Sequence, residues 1–97
     1  MKGTVSFIPE ARKIEFYDYD LPEVEPGAML TEVTRTNVCG SEVHMWRGEF
    51  GKRGAMPGHE MVGRVHTLGK GVTTDTAGQP LKEGDRIAPV YYRVYGL

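Results

Sequence analysis

The sequence has one cysteine, Cys39, and no apolar run approaching the ~20 residues that a membrane-spanning helix needs. A single cysteine cannot form a disulfide within the chain, which fits a reducing compartment and predicts a cytoplasmic protein. The N-terminus also lacks the apolar core of a signal peptide. We therefore expect a soluble domain that depends on its core, a metal or a partner rather than on disulfides.

Neither sign of charge is in clear excess. Twelve Lys and Arg residues stand against thirteen Asp and Glu residues, which gives a formal net charge of -1 at pH 7. Domains that bind nucleic acid or an anionic membrane surface usually carry a clear positive excess. We therefore expect no nucleic-acid partner and no membrane partner.

Turn-forming residues, in contrast, are abundant. Thirteen glycines and six prolines in 97 residues, together with short β-branched runs, favour one small all-β domain. The hydrophobic pattern predicts strands at residues 4–8, 13–19, 28–38 and 59–68 and, after a turn, within residues 83–92. The first two strands are expected to pair as a hairpin.

One short helix and several glycines interrupt this pattern. Gly40 ends the third predicted strand, and Ser41 is expected to cap one or two helical turns. Residues 47–58 are expected to form an irregular loop. Gly63 predicts a bulge or a close backbone approach within its strand, and residues 69–71 predict a tight reversal.

Few residues in the chain can bind a metal or act as a nucleophile, acid or base. Cys39 lies where a strand gives way to the helical turn, and His59 and Glu60 lie where a loop gives way to a strand. A thiolate, an imidazole and a carboxylate form a ligand set that zinc accepts. Their spacing is not that of a zinc finger, and two or three ligands leave a zinc site incomplete.

Each of these residues also has a plain structural interpretation. Cys39 is consistent with a small buried hydrophobic residue, and the pair of His59 and Glu60 is consistent with an exposed strand start. A nucleophilic pair of Cys39 and His44 is a further alternative, although no third residue to orient it is identifiable. His66 lies within a predicted strand, and we interpret it as structural or exposed.

Three motifs in a fixed order resolve these alternatives. They are residues 38–44 (VCGSEVH), 57–65 (PGHEMVGRV) and 82–87 (KEGDRI). Together they resemble the N-terminal part of the zinc-dependent medium-chain alcohol dehydrogenases, and the resemblance covers nearly the whole chain. It implies a GroES-like, partly open β-barrel with one short helical turn after the strand that ends at Cys39.

The resemblance implies a metal site. It makes Cys39 and His59 ligands of a catalytic zinc, with Glu60 as an adjacent or intermittent carboxylate ligand. Glu42 stands where the family pattern usually has Asp. The resemblance implies that this longer carboxylate either orients His59 without binding the metal or itself reaches the metal.

The resemblance also implies catalytic roles for two residues. Ser41 matches the hydroxyl residue that takes the proton of the substrate, and His44 matches the residue that passes this proton towards solvent. Zinc lowers the pKa of an alcohol, so that hydride can pass to NAD or NADP. The implied reaction oxidises a small-molecule alcohol to an aldehyde or ketone.

The chain ends at Leu97, before the third zinc ligand and the dinucleotide-binding domain of that family. We therefore expect residues 1–97 to be a truncated catalytic domain that is inactive alone, because hydride transfer needs a bound nicotinamide. Self-association is expected through the surface that would face the missing domain. The alternative function is a stand-alone GroES-like β-barrel that acts as a binding or assembly module without catalysis.

Overall fold

The computed structural model describes residues 1–50 and 55–90. The elements within this part are β1 (Lys2–Phe7), β2 (Glu15–Asp20), β3 (Met29–Thr36), α1 (Gly40–Trp46), β4 (Met61–Leu68) and β5 (Arg86–Ile87). Strands and one short helix confirm the predicted mainly β fold class and the helical turn after Cys39. No helix in this part is long and apolar enough to cross a membrane.

The chain divides into two compact units. The first comprises Met1–Pro22 and Asn37–Glu60, and the second comprises Glu23–Thr36 with the described residues from Met61 onward. The first unit contains β1, β2 and α1, whereas the second contains β3, β4 and β5. Every residue to which the sequence assigns a metal-binding or catalytic role lies in the first unit.

The first unit contains the antiparallel hairpin that the sequence predicts. Val5 pairs with Tyr17 across β1 and β2. The rings of Phe7 and Tyr17 meet edge to face, with centroids 5.8 Å apart. Beyond β1, the buried Ile8 exchanges backbone hydrogen bonds of 2.7 and 3.0 Å with Ala55. These bonds fix the chain just before the segment that carries His59.

Helix α1 begins directly after Cys39, and the predicted cap by Ser41 is wrong. Cys39 is the N-cap residue, with an extended backbone (φ -82°, ψ 155°), and no side chain caps the helix. The carbonyl of Cys39 accepts a hydrogen bond from the N–H of Glu42 at 3.0 Å. The first turn therefore closes on Cys39, and Ser41 lies inside the helix.

The second unit is a three-stranded antiparallel sheet in the order β3-β4-β5, with two register shifts between β3 and β4. The close approach predicted at Gly63 is confirmed, because a Cβ atom there would lie 2.4 Å from the carbonyl oxygen of Glu32. Val65 in β4 is 2% exposed and forms part of the core. The reversal predicted at residues 69–71 also forms, with Gly71 at a φ of 84°.

Several predicted bounds shift. The strand predicted at residues 59–68 begins at Met61, so His59 and Glu60 lie in the segment that enters it. Within the described residues, the last strand is limited to β5, and the part of that prediction beyond residue 90 lies outside them. Residues 51–54 of the predicted loop also lie outside them.

Candidate metal centre

Three potential metal ligands converge in the first unit. Sγ of Cys39, a ring nitrogen of His59 and a carboxylate oxygen of Glu60 all lie within 4.8 Å of one another. Cys39 and His59 are partly buried, whereas Glu60 is exposed. A set of three protein ligands of these types is what catalytic zinc sites use, with the fourth position left open for water or substrate. The donor set therefore fits zinc.

Backbone structure brings the two ligand-bearing segments together. Asn37, two residues before Cys39, donates its N–H to the carbonyl of Glu60 at 2.9 Å. Cys39 then ends the extended segment at the N-terminus of α1. One backbone hydrogen bond and the start of α1 thus bring together candidate ligands that are distant in sequence.

The carboxylate of Glu42 faces His59 within the first unit. Its residue is 5% exposed, and its Oε2 accepts a hydrogen bond from the N–H of Gly58 at 3.0 Å. Its Oε1 lies 3.5 Å from Nδ1 of His59 and has no hydrogen-bond partner within the described structure. A metal-binding histidine commonly donates its second N–H to a carboxylate. Glu42 is placed to accept that hydrogen bond.

Ser41 lies beside the candidate metal ligands. Its hydroxyl donates a hydrogen bond of 3.3 Å to Sγ of Cys39, and its side chain is partly buried. The hydroxyl is therefore adjacent to one member of the donor set, the thiol of Cys39. Its role in proton transfer stays a prediction.

His44 lies on the exposed surface of α1 and interacts with residues just beyond the helix. Its Nδ1 forms a hydrogen bond with the carboxylate of Glu49, and its ring is tilted against that of Phe50 at 6.0 Å between centroids. Cys39 contacts Ser41 instead. The structure therefore offers no support for the alternative nucleophilic pair of Cys39 and His44.

Glu49 is the residue near the site that the sequence reasoning missed. The hydrogen bond from His44 lowers the pKa of its carboxyl group, and the nearby charges of His44, Arg47 and Arg12 lower it further. The available signal was Gly48, since a glycine directly after a short helical segment marks a helix C-terminus at which the chain folds back.

His66 lies in the second unit, on β4 and outside the candidate metal centre. It is exposed, and its Nδ1 forms a 2.7 Å hydrogen bond with the hydroxyl of Thr67. This agrees with the interpretation of His66 as structural or exposed. The residue is therefore a suitable control for substitutions of His59.

Comparisons with known proteins point to one family. The alcohol dehydrogenase GroES-like domain family matches residues 25–94. The 5-exo-hydroxycamphor dehydrogenase of Pseudomonas putida is 43% identical over an alignment of 88 residues that covers 84% of this chain and 24% of that protein. This chain thus spans about a quarter of the length of such relatives.

Two solved structures are also similar. The crystal structure of an alcohol dehydrogenase from Thermotoga maritima has 30% identity and a TM-score of 0.78, over 91% of this chain and 25% of that one. The crystal structure of a short chain alcohol dehydrogenase from E. coli, complexed with NADH, has 25% identity and a TM-score of 0.69. That match covers 90% of this chain and 24% of the other.

Proposed function

The chain belongs to the alcohol dehydrogenase GroES-like domain family, and we propose that it is the N-terminal catalytic domain of a zinc-dependent alcohol dehydrogenase. The observation that carries this proposal is the convergence of Cys39, His59 and Glu60 within 4.8 Å. The complete enzyme would oxidise an alcohol to an aldehyde or ketone with NAD or NADP. The chain spans about a quarter of the length of its relatives, so this activity is proposed for the longer enzyme.

The metal ligands in this proposal are Cys39, His59 and Glu60. A zinc ion held by them acts as a Lewis acid that makes the hydroxyl group of an alcohol more acidic. Glu60 is the exposed member of the set, which suits a ligand that is exchangeable or intermittent. The partly buried Cys39 and His59 are the permanent ligands in this proposal.

Glu42 orients the metal-binding imidazole. Its carboxylate is held by the N–H of Gly58 and faces Nδ1 of His59. A hydrogen bond from Nδ1–H to Oε1 leaves the other ring nitrogen unprotonated and free to bind a metal. The longer side chain of Glu42, where the family pattern has Asp, therefore supports the histidine without being a ligand itself.

Ser41 and His44 would move the proton. The hydroxyl of Ser41 lies next to the thiol of Cys39, so an alcohol bound at the donor set would be within its reach. His44 is three residues further along α1, on the same helix face, and its side chain is 53% exposed. In this proposal the hydroxyl of Ser41 accepts the proton of the alcohol and gives up its own proton to the imidazole of His44, which releases a proton to solvent.

Cobalt(II) titration of the 97-residue chain tests the metal site directly. A thiolate ligand gives cobalt(II) a near-ultraviolet charge-transfer absorption, and we expect it to saturate at about one ion per chain. Cys39→Ser and His59→Ala should abolish this absorption, Glu60→Gln should weaken binding, and the control His66→Ala should leave it unchanged. An absence of cobalt binding by the unsubstituted chain, or equal losses in the His59 and His66 variants, would overturn the proposed site.

Turnover by the 97 residues alone is not expected, because hydride transfer needs a nicotinamide held against the alcohol. Assays with NAD or NADP and simple alcohols should give no rate above that of zinc in buffer. A measurable rate would contradict the assignment of cofactor binding to the rest of a longer enzyme.

We also propose that the isolated chain self-associates. The buried apolar residues in the described part are Ile8 and Val65, whereas Phe16, Val38 and Val90 are each more than 70% exposed. Exposed apolar area of this kind favours association. Light scattering should give a mass above 10.8 kDa that rises with concentration. A monomer at all concentrations would favour the alternative of a self-sufficient β-barrel module.

A further inference from the structure

The C-terminus of α1 folds back on His44. The N–H of Gly48 donates to the carbonyl of Met45 at 3.1 Å, and the N–H of Glu49 donates to the carbonyl of His44 at 3.0 Å. Together with the left-handed backbone of Gly48, at a φ of 79°, these two bonds form a Schellman motif. The motif brings the residue after the glycine back over the last turn of the helix.

Only glycine suits position 48. A side chain there would be strained at a φ of 79°, and its Cβ would lie 2.9 Å from the Cβ of Ala11. The path of the chain after α1 is therefore fixed by the backbone. The position of Glu49 relative to His44 follows from that path. It is determined by the backbone rather than by the conformation of the glutamate side chain.

Two side chains beyond the helix contact the imidazole of His44. The carboxylate of Glu49 forms a hydrogen bond with Nδ1 of His44, and the ring of Phe50 lies against the imidazole. Arg12 and Arg47 are the other charged groups that act on Glu49, and both favour its ionised form. An ionised carboxylate has no proton to donate, so the proton of this hydrogen bond belongs to Nδ1 of His44.

We propose that Glu49 is a positioning residue for His44: it accepts a hydrogen bond from Nδ1–H and so keeps Nε2 as the nitrogen that accepts a proton. This inference rests on the proposed function, in which His44 passes the proton of the alcohol to solvent. An imidazole has two distinct nitrogens, and the hydrogen bond at one decides which of them is the acceptor. Glu49 therefore sets the direction in which His44 takes up a proton.

Nitrogen-15 NMR of the histidine side chains tests this inference on the 97-residue chain. At an alkaline pH, where imidazoles are neutral, we expect His44 to carry its proton on Nδ1. In Glu49→Ala it should change to the Nε2–H form that neutral imidazole prefers in water. Glu49→Gln retains a carbonyl acceptor and should restore the Nδ1–H form in part. His66 is distant from Glu49 in sequence and forms a hydrogen bond with the hydroxyl of Thr67. Its tautomer should not change and provides an internal reference.

Two results would overturn the role of Glu49. One is an Nε2–H form of His44 in the unsubstituted chain. The other is that His44 has the same tautomer, whichever it is, in the unsubstituted chain and in Glu49→Ala. Because Glu49 lies on the surface, with 46% of its side chain exposed, its replacement is expected to leave the fold intact.

Cobalt(II) titration separates this inference from the proposed function. Glu49→Ala should bind cobalt(II) with the spectrum of the unsubstituted chain, since Glu49 is not among the ligands. Failure of the unsubstituted chain to bind cobalt(II) would overturn the metal site whatever the tautomer of His44. Normal cobalt(II) binding with an unchanged tautomer in Glu49→Ala would overturn the role of Glu49 alone.

Discussion

Oε1 of the buried Glu42 lies 3.5 Å from Nδ1 of His59, and the other oxygen of the same carboxylate accepts the backbone N–H of Gly58. One side chain of α1 thus faces a candidate ligand and also accepts a hydrogen bond from the residue just before that ligand. A buried carboxylate is costly to desolvate unless its oxygens are paired. The hydrogen bond from Gly58 pairs one oxygen, and Nδ1–H of His59 is the natural donor to the other.

Substitution of Glu42 should affect stability and metal affinity differently. Glu42→Ala leaves the Gly58 N–H without an acceptor, and we expect it to lower the free energy of unfolding by about 1–3 kcal/mol. It should also weaken cobalt(II) binding by about 10–100-fold, since the support of His59 is lost. Glu42→Gln keeps an oxygen for Gly58, so it should lose less stability while still weakening metal binding.

Urea denaturation and cobalt(II) titration measure these two effects. Glu23→Ala removes an exposed carboxylate and serves as the matched control, with both quantities expected to stay unchanged. Equal stability and affinity in Glu42→Ala and Glu23→Ala would show that Glu42 does not support His59.

Much of the fold follows from local patterns in the sequence. The hairpin, the short helix and the close approach at Gly63 are all confirmed, because each depends on alternation, on helix-start signals or on a glycine within a strand. The cap was wrong for a local reason. Ser41 is a favoured N-cap residue, but the backbone of Cys39 takes that position and leaves Ser41 in the first turn.

The site depends on contacts that no single segment specifies. The motifs indicated Cys39, His59 and Glu60 because a known family has the same residues in the same order. The buried carboxylate of Glu42 accepts a hydrogen bond from Gly58, which lies in another segment of the chain. The pairing of His44 with Glu49 depends on a left-handed glycine whose neighbour is Ala11. A glycine after a helix can indicate that the chain folds back, but local sequence patterns do not specify which side chains then meet.

The acid titration of Glu49 should depend on His44. The hydrogen bond from His44 is the largest cause of the lowered pKa of Glu49, so His44→Gln should raise that pKa towards its ordinary value. A carboxyl group whose pKa is lowered by folding stabilises the fold above its unfolded pKa. This contribution is lost as the pH falls through the lowered pKa of the folded state. His44→Gln should therefore flatten the acid side of the stability curve.

Carbon-13 NMR of the carboxyl groups measures the pKa of Glu49 directly. His66→Gln is the matched control, because it also replaces an exposed histidine, and the hydrogen bond of His66 is made with Thr67. The same Glu49 titration in His44→Gln and in the unsubstituted chain would show that the hydrogen bond is absent in solution.

Two glycines should respond to alanine in opposite ways. A Cβ at Gly63 would lie 2.4 Å from the carbonyl oxygen of Glu32 and 2.7 Å from Cγ2 of Thr31. Because the nearer atom is backbone, strands β3 and β4 must separate, and Gly63→Ala should lower the free energy of unfolding by about 1–3 kcal/mol or more. Gly40, at the start of α1, has nothing within 4 Å of such a Cβ. Gly40→Ala should therefore be neutral or stabilising by up to ~1 kcal/mol, since alanine favours a helix.

Urea denaturation followed by circular dichroism compares the two variants, and loss of the cooperative transition in Gly63→Ala would agree with the strained contact. Equal stability of both variants would show that β3 and β4 do not approach each other so closely at Gly63.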